Sequence, residues 1–269
     1  MLTIREYKRA ESLKQAWQLN QQRGSRIVGG MLWMKMQRGT VQTAIDLSDL
    51  GLDTIEETKE AFRIGAMVTL RQLETHPGLA QYTGGAMKEA LRCIVGVQFR
   101  NLATAGGSIF GRFGFSDVLT VFLAMDSYVE LYQGGVVPME EFARQGADRD
   151  VLTHILVKKT PLLFHYESVR NTRTDFPVLT CCGAFSPGKE SCRFALGARP
   201  GRAVIIEDKE GLIDGGITPR KARAFGAYAA EHVPTGSNMR GSARYRSHLV
   251  NVLTARTALQ LQETSGSFV

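Results

Sequence analysis

Two glycine pairs are the residues in this sequence whose spacing points most directly to chemistry. Gly29-Gly30 follows a short apolar run, and Gly106-Gly107 stands between the hydroxyl residues Thr104 and Ser108. Glycines where a strand ends and a helix begins leave backbone amides exposed, and such amides bind phosphate. Two turns of this kind can hold one diphosphate between them, although a single glycine pair is more typical of a tight turn.

Asp117 follows the second glycine pair after one short segment. Its carboxylate can accept hydrogen bonds from the hydroxyl groups of a sugar or a ribityl chain. A purely structural role is the alternative, because Ser116 or Asp117 is also placed to cap the apolar helix that follows. The residues alone leave both roles open.

The sequence gives little support for a metal site or for a catalytic nucleophile. The five histidines have no HxH or HExxH spacing, the four cysteines form no CxxC pair, and no GxSxG motif occurs. We therefore predict no catalytic side chain and no metal ligand, and we expect the cysteines to be reduced and partly buried.

The composition describes a globular protein with one large or two medium domains. The chain has 269 residues, of which 43% are hydrophobic and 22% are charged, with a formal net charge of +7. The positive charge favours acidic partners, but no aromatic interleaving supports nucleic acid. The longest apolar run, 118–125, is too short to cross a membrane, and residues 1–9 do not resemble a secretion signal. We expect a cytoplasmic protein.

The elements that position the glycine pairs follow from hydrophobic periodicity and from turn residues. A strand, glycine turn, helix and strand unit is expected over 26–47, and Thr69 with Gln72 predicts a capping box. The predicted helices are 9–22, 31–37, 69–77, 79–97, 116–125, 219–232 and 242–262. The predicted strands are 26–28, 41–47, 62–67, 127–133, 152–157, 163–169, 178–185 and 193–198, the later ones forming antiparallel sheet.

Four ordered motifs together resemble the FAD-binding (medium) subunit of the molybdenum hydroxylases, the family of the xanthine dehydrogenase and carbon monoxide dehydrogenase flavoproteins. The resemblance is collinear from the first helix to about residue 262. The motifs are IVGGMLWMKMQRG at 27–39, RIGAMVTL at 63–70, QFRNLATAGGS at 98–108 with Ser116-Asp117, and RGSARYRSHL at 240–249.

The resemblance implies an α+β chain with the vanillyl-alcohol-oxidase-type (PCMH-type) FAD-binding fold and a C-terminal domain of antiparallel sheet and helices. The FAD-binding region would span 1–160, with an α/β lobe at about 1–60 and an α+β lobe at about 61–160. The C-terminal flavoprotein domain would span 161–263. The small and polar residues of 264–269 indicate a tail that is either disordered or an added sequence.

The resemblance also implies which residues contact FAD. The FAD diphosphate would lie against both glycine turns, with Leu152 packed on the cofactor and Ile94 beside the flavin ring. The implied set is Ile27, Val28, Gly29, Gly30, Met31, Leu32, Trp33, Ile94, Thr104, Gly106, Gly107, Ser108, Phe110, Gly111, Asp117 and Leu152.

Some residues depart from the family pattern. Met31 replaces a Thr, Ser or His, and Ser108 replaces the commoner Asn. The segment 112–115 often contains Pro in relatives, and a Lys found near Tyr166 in some relatives has no counterpart here. Arg112 and Arg170 are each candidates to guide an anionic nucleotide, but a solvated arginine is the commoner case.

The resemblance implies a FAD-carrying electron-transfer subunit of a molybdenum hydroxylase complex. Electrons would come from a molybdopterin subunit through the [2Fe-2S] clusters of an iron-sulfur subunit, and would pass to NAD(P) or to another acceptor such as ferredoxin or a quinone. Two alternatives remain: a free-standing FAD-dependent oxidoreductase of the same fold, and a basic binding module without a cofactor.

Overall fold

The computed structural model of the chain describes residues 1–146, 148–186 and 191–266. Two compact units interleave along the sequence. The first comprises Met1–Leu73, Gly96–Gly111 and Ser127–Lys158, and the second comprises Glu74–Val95, Arg112–Asp126 and the chain from Lys159 onward. The division at residue 160 stays a prediction, because a contact unit and a family domain are different divisions of a chain.

Strands and helices are numbered in chain order. The strands are β1 (Leu2–Arg9), β2 (Ser25–Val28), β3 (Gly39–Asp46), β4 (Ile55–Glu57), β5 (Ala61–Gly65), β6 (Ser127–Leu131), β7 (Gly135–Pro138), β8 (Leu152–Lys158), β9 (Leu163–Arg170), β10 (Pro177–Ser186), β11 (Ser191–Gly197) and β12 (Val204–Glu207). The helices are α1 (Leu13–Gln21), α2 (Leu70–Thr75), α3 (Pro77–Tyr82), α4 (Ala86–Arg92), α5 (Val97–Arg100), α6 (Ala105–Phe110), α7 (Asp117–Ala124), α8 (Met139–Arg144), α9 (Pro219–His232) and α10 (Ala243–Gly266).

The first unit contains a parallel sheet in the order β1-β3-β2 and an antiparallel sheet in the order β4-β5-β8-β6-β7. Ser12 caps α1 by accepting a hydrogen bond from the Gln15 amide, and buried Ala16 joins the core beside β3. The strands predicted within 26–47, 62–67, 127–133 and 152–157 are confirmed. Strand β1, which contains four charged residues, and the short strands β4 and β7 were not predicted.

The predicted helix at 31–37 is wrong. Met34–Met36 form one 3-10 turn between β2 and β3. Met31 has a φ of +57°, in the left-handed region that an α-helix excludes. Met31 and Met34 pack on buried residues of β2 and β3. The apolar spacing that suggested a helix is therefore the spacing of side chains that cover a sheet.

The capping box before α2 is confirmed. The Gln72 amide donates to Thr69 Oγ1 at 3.2 Å, and the Thr69 amide donates to Gln72 Oε1 at 2.8 Å. Pro77 does not close this helix but begins α3, where its missing amide proton leaves no bond unmade. The helix predicted at 79–97 is interrupted because Gly84 and Gly85 both have positive φ.

The second unit contains an antiparallel sheet in the order β12-β11-β10-β9, with α9 and α10 packed together over a large apolar core. The predicted strands at 163–169, 178–185 and 193–198 and helices at 219–232 and 242–262 are confirmed, and β12 was missed. The prediction of disorder is wrong for 264–266, because these residues belong to α10, which continues to Gly266. Residues 267–269 lie outside the described residues.

In the described chain, no helix has the length and apolar character needed to cross a membrane.

Candidate cofactor site

The first glycine turn begins where β2 ends. Val28 is 3% exposed, and Gly29, Gly30, Met31 and Leu32 after it are half-buried. Within the described part of the chain, the backbone amides of these four residues donate to no acceptor. Successive unpaired amides are a feature that binds anions, because each presents a partial positive charge.

The second glycine pair lies in the first turn of α6, whereas the sequence predicted a glycine-containing turn over 101–108. Thr104 caps this helix, and its Oγ1 accepts a hydrogen bond from the Gly107 amide at 3.1 Å. The Ser108 hydroxyl donates to the Thr104 carbonyl at 3.0 Å. The predicted hydrogen bonds from these hydroxyls to a phosphate are untested and stay a prediction.

The structure brings the two turns into contact inside the first unit. A Cβ built on Gly30 would lie 1.8 Å from the Leu102 carbonyl oxygen, and one built on Gly29 would lie 2.5 Å from Thr104 Oγ1. Trp33 and Phe99 pack edge to face beside them, with ring centroids 5.4 Å apart. Gly29 and Gly30 are therefore needed for the approach of two chain segments.

Gly107 differs from these glycines because its surroundings are open. It is exposed, and a Cβ built on it would meet only Thr104 Oγ1, at 3.0 Å. Gly106 is buried, and a Cβ there would lie 2.7 Å from the Ala66 carbonyl oxygen. Within the second pair, Gly107 is thus the position that leaves room for a ligand.

Four apolar members of the implied set belong to the core of the first unit. Val28 and Leu152 are buried, Ile27 packs against the core under α1, and Phe110 lies 6.0 Å from Phe142 between ring centroids. Leu152 is the first residue of β8, as the strand prediction required. Their contacts with a cofactor, and that of Gly111 after α6, stay predictions.

Asp117 belongs to the second unit, where it is the first residue of α7. Ser116 caps this helix, so the predicted cap is confirmed and Asp117 is left for another role. The Asp117 carboxylate is 5% exposed and accepts hydrogen bonds from the Tyr166 hydroxyl and from Arg170 Nη2, the second at 2.5 Å.

The electrostatics of this buried cluster follow from desolvation. Burial raises the pKa of the Asp117 carboxyl above its ordinary value, and the Arg170 guanidinium opposes that rise. Burial and the nearby Asp117 carboxylate raise the pKa of the Tyr166 phenol well above its ordinary value. Tyr166 is therefore a hydrogen-bond donor at neutral pH.

Arg170 corrects one interpretation from the sequence. A solvated side chain was the favoured alternative, but the Arg170 side chain is only 7% exposed. It also donates to the Ser168 hydroxyl and to the Asp175 carbonyl. Arg170 therefore supplies Asp117 with a buried cation partner. Pairing between β9 and α7 could not be read from the sequence, because the partners are 53 residues apart.

Ile94 lies in the second unit, two residues after α4, and is half-buried. The next residue, Val95, is 44% exposed with a φ of +50°, which is unusual for a β-branched side chain. The predicted contact of Ile94 with a flavin ring is untested.

The titratable side chains form no group of three His, Cys, Asp or Glu residues suited to a metal, as far as the structure describes the chain. Cys181, Cys182 and Cys192 are buried, and Cys93 is half-buried. Burial raises the pKa of the Cys181 and Cys192 thiols to about 12, so both are protonated at neutral pH.

Sequence comparisons bear on both parts of the chain. Residues 3–160 match the family described as the FAD binding domain in molybdopterin dehydrogenase, and residues 164–261 match the C-terminal domain of CO dehydrogenase flavoproteins. An uncharacterized protein of Escherichia coli K12, YgfM, is 28% identical over 94% of both chains. The nicotine 6-hydroxylase medium subunit of Paenarthrobacter nicotinovorans is 25% identical over 84% of both chains.

Solved structures share the fold. Carbon monoxide dehydrogenase from Hydrogenophaga pseudoflava matches with a TM-score of 0.86 at 22% identity, covering 96% of this chain and 97% of the other. Quinoline 2-oxidoreductase from Pseudomonas putida 86 matches with a TM-score of 0.85 at 20% identity and the same coverage. The predicted α+β fold class is confirmed. The chain belongs to the FAD-binding domain family of the molybdopterin dehydrogenases and carries the C-terminal domain of their CO dehydrogenase flavoproteins, as its glycine motifs indicated.

Proposed function

We propose that this chain is the FAD-carrying, electron-transfer subunit of a molybdenum hydroxylase complex. The observation that carries the proposal is the run of four amides from Gly29 to Leu32 that donate to no acceptor within the described chain, set against the α6 turn. A diphosphate is an acceptor that several adjacent amides can bind together.

The residues of the first unit fit such a ligand. The backbone amides of the first turn can donate hydrogen bonds to a phosphate. These donors replace the side-chain hydroxyl or imidazole that relatives have at the position of Met31. Gly107 leaves open space on the second turn. Neither turn contains His or Cys, so we expect noncovalent binding.

Bound FAD would supply the electron transfer between clusters that carry one electron and an acceptor that takes two. The chain's own residues bind and orient the cofactor, and no side chain is assigned an acid or base role. In the second unit, the Tyr166 hydroxyl and the Arg170 guanidinium hold the Asp117 carboxylate in one orientation. Asp117 is proposed to accept a hydrogen bond from a hydroxyl group of the cofactor.

The partners follow from the family and from one relative's name. The P. nicotinovorans relative is a medium subunit of a hydroxylase, which supports an assembly of several subunits. We infer that [2Fe-2S] clusters of an iron-sulfur subunit deliver electrons from a molybdopterin subunit, and that NAD(P) or another acceptor removes them. Copurification from the native host with both subunits is the expected result. A sole monomer with full hydroxylase activity would favour the free-standing flavoenzyme instead.

Cofactor binding is tested by loading the folded chain with excess FAD and measuring flavin absorbance after desalting. We expect bound flavin in the wild type and little in Gly107→Asp, because aspartate adds a negative charge beside the diphosphate. Gly146→Asp is the matched control, since a Cβ at Gly146 meets nothing within 4 Å. A folded wild-type chain without flavin would refute the proposal.

A further inference from the structure

Four charged or titratable side chains form a row across one sheet of the first unit. They are Glu56 on β4, Arg63 on β5, His154 on β8 and Glu130 on β6, and these strands neighbour one another in the order β4-β5-β8-β6. Glu56 pairs in register with Arg63, and His154 pairs in register with Glu130. The proposed electron-transfer function gives this charged row no role.

Arg63 is the centre of the charged row. Its guanidinium reaches across β8, where Nη2 lies 3.0 Å from His154 Nδ1 and donates to Glu130 Oε2 at 3.1 Å. Its Nη1 lies 3.6 Å from the Glu56 carboxylate. A guanidinium can only donate, so His154 Nδ1 is the acceptor and the imidazole is neutral, with its proton on Nε2.

His154 is the member of the charged row whose charge changes near neutral pH. Its side chain is 12% exposed. Burial and the Arg63 guanidinium lower the pKa of His154 below its ordinary value, and the Glu130 and Glu56 carboxylates oppose that fall. The helix α6, which packs on β8, contains no titratable residue. The imidazole is therefore neutral at neutral pH and gains a proton only as the pH falls below about 6.5.

Protonation gives the charged row a second arrangement. An imidazolium offers Arg63 no acceptor, and two cations 3.0 Å apart repel each other. His154 Nδ1 already lies 3.3 Å from Glu130 Oε2, so the protonated ring can donate to that carboxylate. Arg63 then keeps Glu56, on the neighbouring strand. Glu130 thus exchanges one cation for the other, and the link that spans β8 is lost.

Glu130 is connected to the second glycine turn by three consecutive hydrogen bonds. The Thr153 hydroxyl donates to the Glu130 carbonyl at 3.0 Å, and the Thr153 carbonyl accepts from the Ala66 amide at 2.8 Å. The Ala66 carbonyl accepts from the Gly106 amide, also at 2.8 Å. The strand that carries Glu130 is therefore joined to the first turn of α6.

An irregularity in the sheet places Thr153 in this path. The register of β6 against β8 shifts between Glu130 and Leu131, so Thr153 has no opposing residue on β6. Such bulges bend a strand and are frequent beside functional sites. At the other end of the path, a Cβ on Gly106 would lie 2.7 Å from the Ala66 carbonyl oxygen. The contact between the sheet and α6 thus leaves little space for independent movement.

We propose that the charged row is a proton-operated switch on the second glycine turn. With His154 neutral, Arg63 links β5 to β6 across β8 and the α6 turn is held in place. With His154 protonated, that link is released and the α6 turn loosens, so the chain binds its cofactor less tightly. The identity of the cofactor rests on the proposed function, whereas the response of α6 does not.

The switch is tested on the cofactor-free chain by NMR titration from about pH 8 to pH 5. The His154 ring signal should titrate with a midpoint below about 6.5, and the amide signals of Ala66 and Gly106 should shift with the same midpoint. His154→Gln keeps an acceptor for Arg63 but cannot be protonated, so it should remove that midpoint from both amides. His154→Asn replaces it if His154→Gln does not fold.

The matched control is His248→Gln, which changes an exposed histidine of the second unit. Its Ala66 and Gly106 amides should keep the wild-type midpoint. Wild-type amides of Ala66 and Gly106 that do not follow the His154 ring overturn the proposal.

Substitutions of the two neighbours of His154 should move its pKa in opposite directions. Arg63→Gln removes the cation and should raise the pKa of His154. Glu130→Gln removes the carboxylate that receives the protonated ring and should lower it. A shift in the same direction in both variants overturns the exchange of cations on Glu130.

The effect on the cofactor is measured by flavin fluorescence at pH 7.5 and pH 5.5. The wild type should bind FAD at least about fivefold more weakly at pH 5.5, and this difference should fall below about twofold in His154→Gln. By reciprocity, bound FAD should lower the pKa of His154. Equal FAD affinity at the two pH values overturns the proposal and leaves the flavin assignment intact. A folded chain that binds no FAD refutes the flavin assignment, and the titration of the cofactor-free chain then decides the switch.

Discussion

Alanine at Gly30 and alanine at Gly107 separate two roles of glycine in the cofactor turns. A Cβ at Gly30 would lie 1.8 Å from the Leu102 carbonyl oxygen and 2.4 Å from its carbon, and no side-chain rotation can relieve a clash with backbone. A Cβ at Gly107 meets only the Thr104 hydroxyl oxygen, at 3.0 Å. The first substitution therefore acts on the fold, and the second acts on the space for a ligand.

The magnitudes follow from these distances. Inserting a methyl group into packed structure costs about 1–3 kcal/mol, and the clash with backbone places Gly30→Ala at the upper end, at about 3 kcal/mol. For a chain of this size, that loss lowers the melting temperature by roughly 6–12 °C. Gly107→Ala should add about 0.5–1 kcal/mol of stability, because alanine is a better helix former than glycine. This gain offsets the cost of the small movement that the new Cβ requires of the Thr104 side chain.

The assay is thermal unfolding of the cofactor-free chain together with FAD affinity from flavin fluorescence. Gly30→Ala should lower the melting temperature. Gly107→Ala should leave it nearly unchanged and weaken FAD by about tenfold or more. An unchanged melting temperature for Gly30→Ala would refute the close approach of the two turns. Full FAD affinity in Gly107→Ala would show that the diphosphate does not lie beside α6.

The buried pair and the cysteines yield two further predictions. Arg170→Gln should destabilise the chain by about 3–5 kcal/mol in urea unfolding, because it leaves the Asp117 carboxylate buried without its cation. The loss of stability should grow as pH rises. At low pH the buried Asp117 carboxyl is protonated and neutral, because burial raises its pKa, so it does not need the Arg170 cation. The control Arg173→Gln should show neither effect. Alkylation at pH 8 followed by mass spectrometry should modify Cys93 in the native chain. The same treatment should spare Cys181, whose pKa is raised to about 12, until the chain is denatured.

Local signals predicted most of the elements and the first glycine turn. The reciprocal hydrogen bonds of Thr69 and Gln72, the Ser116 cap and the full extent of α9 all follow from residues within one or two helical turns of each other. Such features depend on short-range sterics and hydrogen bonding, which a single sequence records directly.

The errors arose where long-range packing decides local structure. Met31 has a left-handed φ and its side chain packs on the parallel sheet, and the segment with helical spacing forms only a 3-10 turn. The glycines of the second pair were assigned to a turn, yet they begin α6 because Thr104 caps it. Both outcomes depend on contacts that periodicity does not contain.

The Asp117 cluster shows how such long-range contacts change the chemistry inferred for a single residue. Spacing made Asp117 either a helix cap or a ligand to a sugar hydroxyl, and it made Arg170 a surface charge. The fold gives the cap to Ser116 and places Arg170 and Tyr166, from one strand, on the carboxylate. Arg170 is itself anchored by the Asp175 carbonyl, and the Asp175 side chain forms an ion pair with Arg240. One short segment, Asn171 to Phe176, therefore joins the Asp117–Arg170 pair to Arg240 within the second unit. A substitution of Asp175 is expected to disturb both ion pairs.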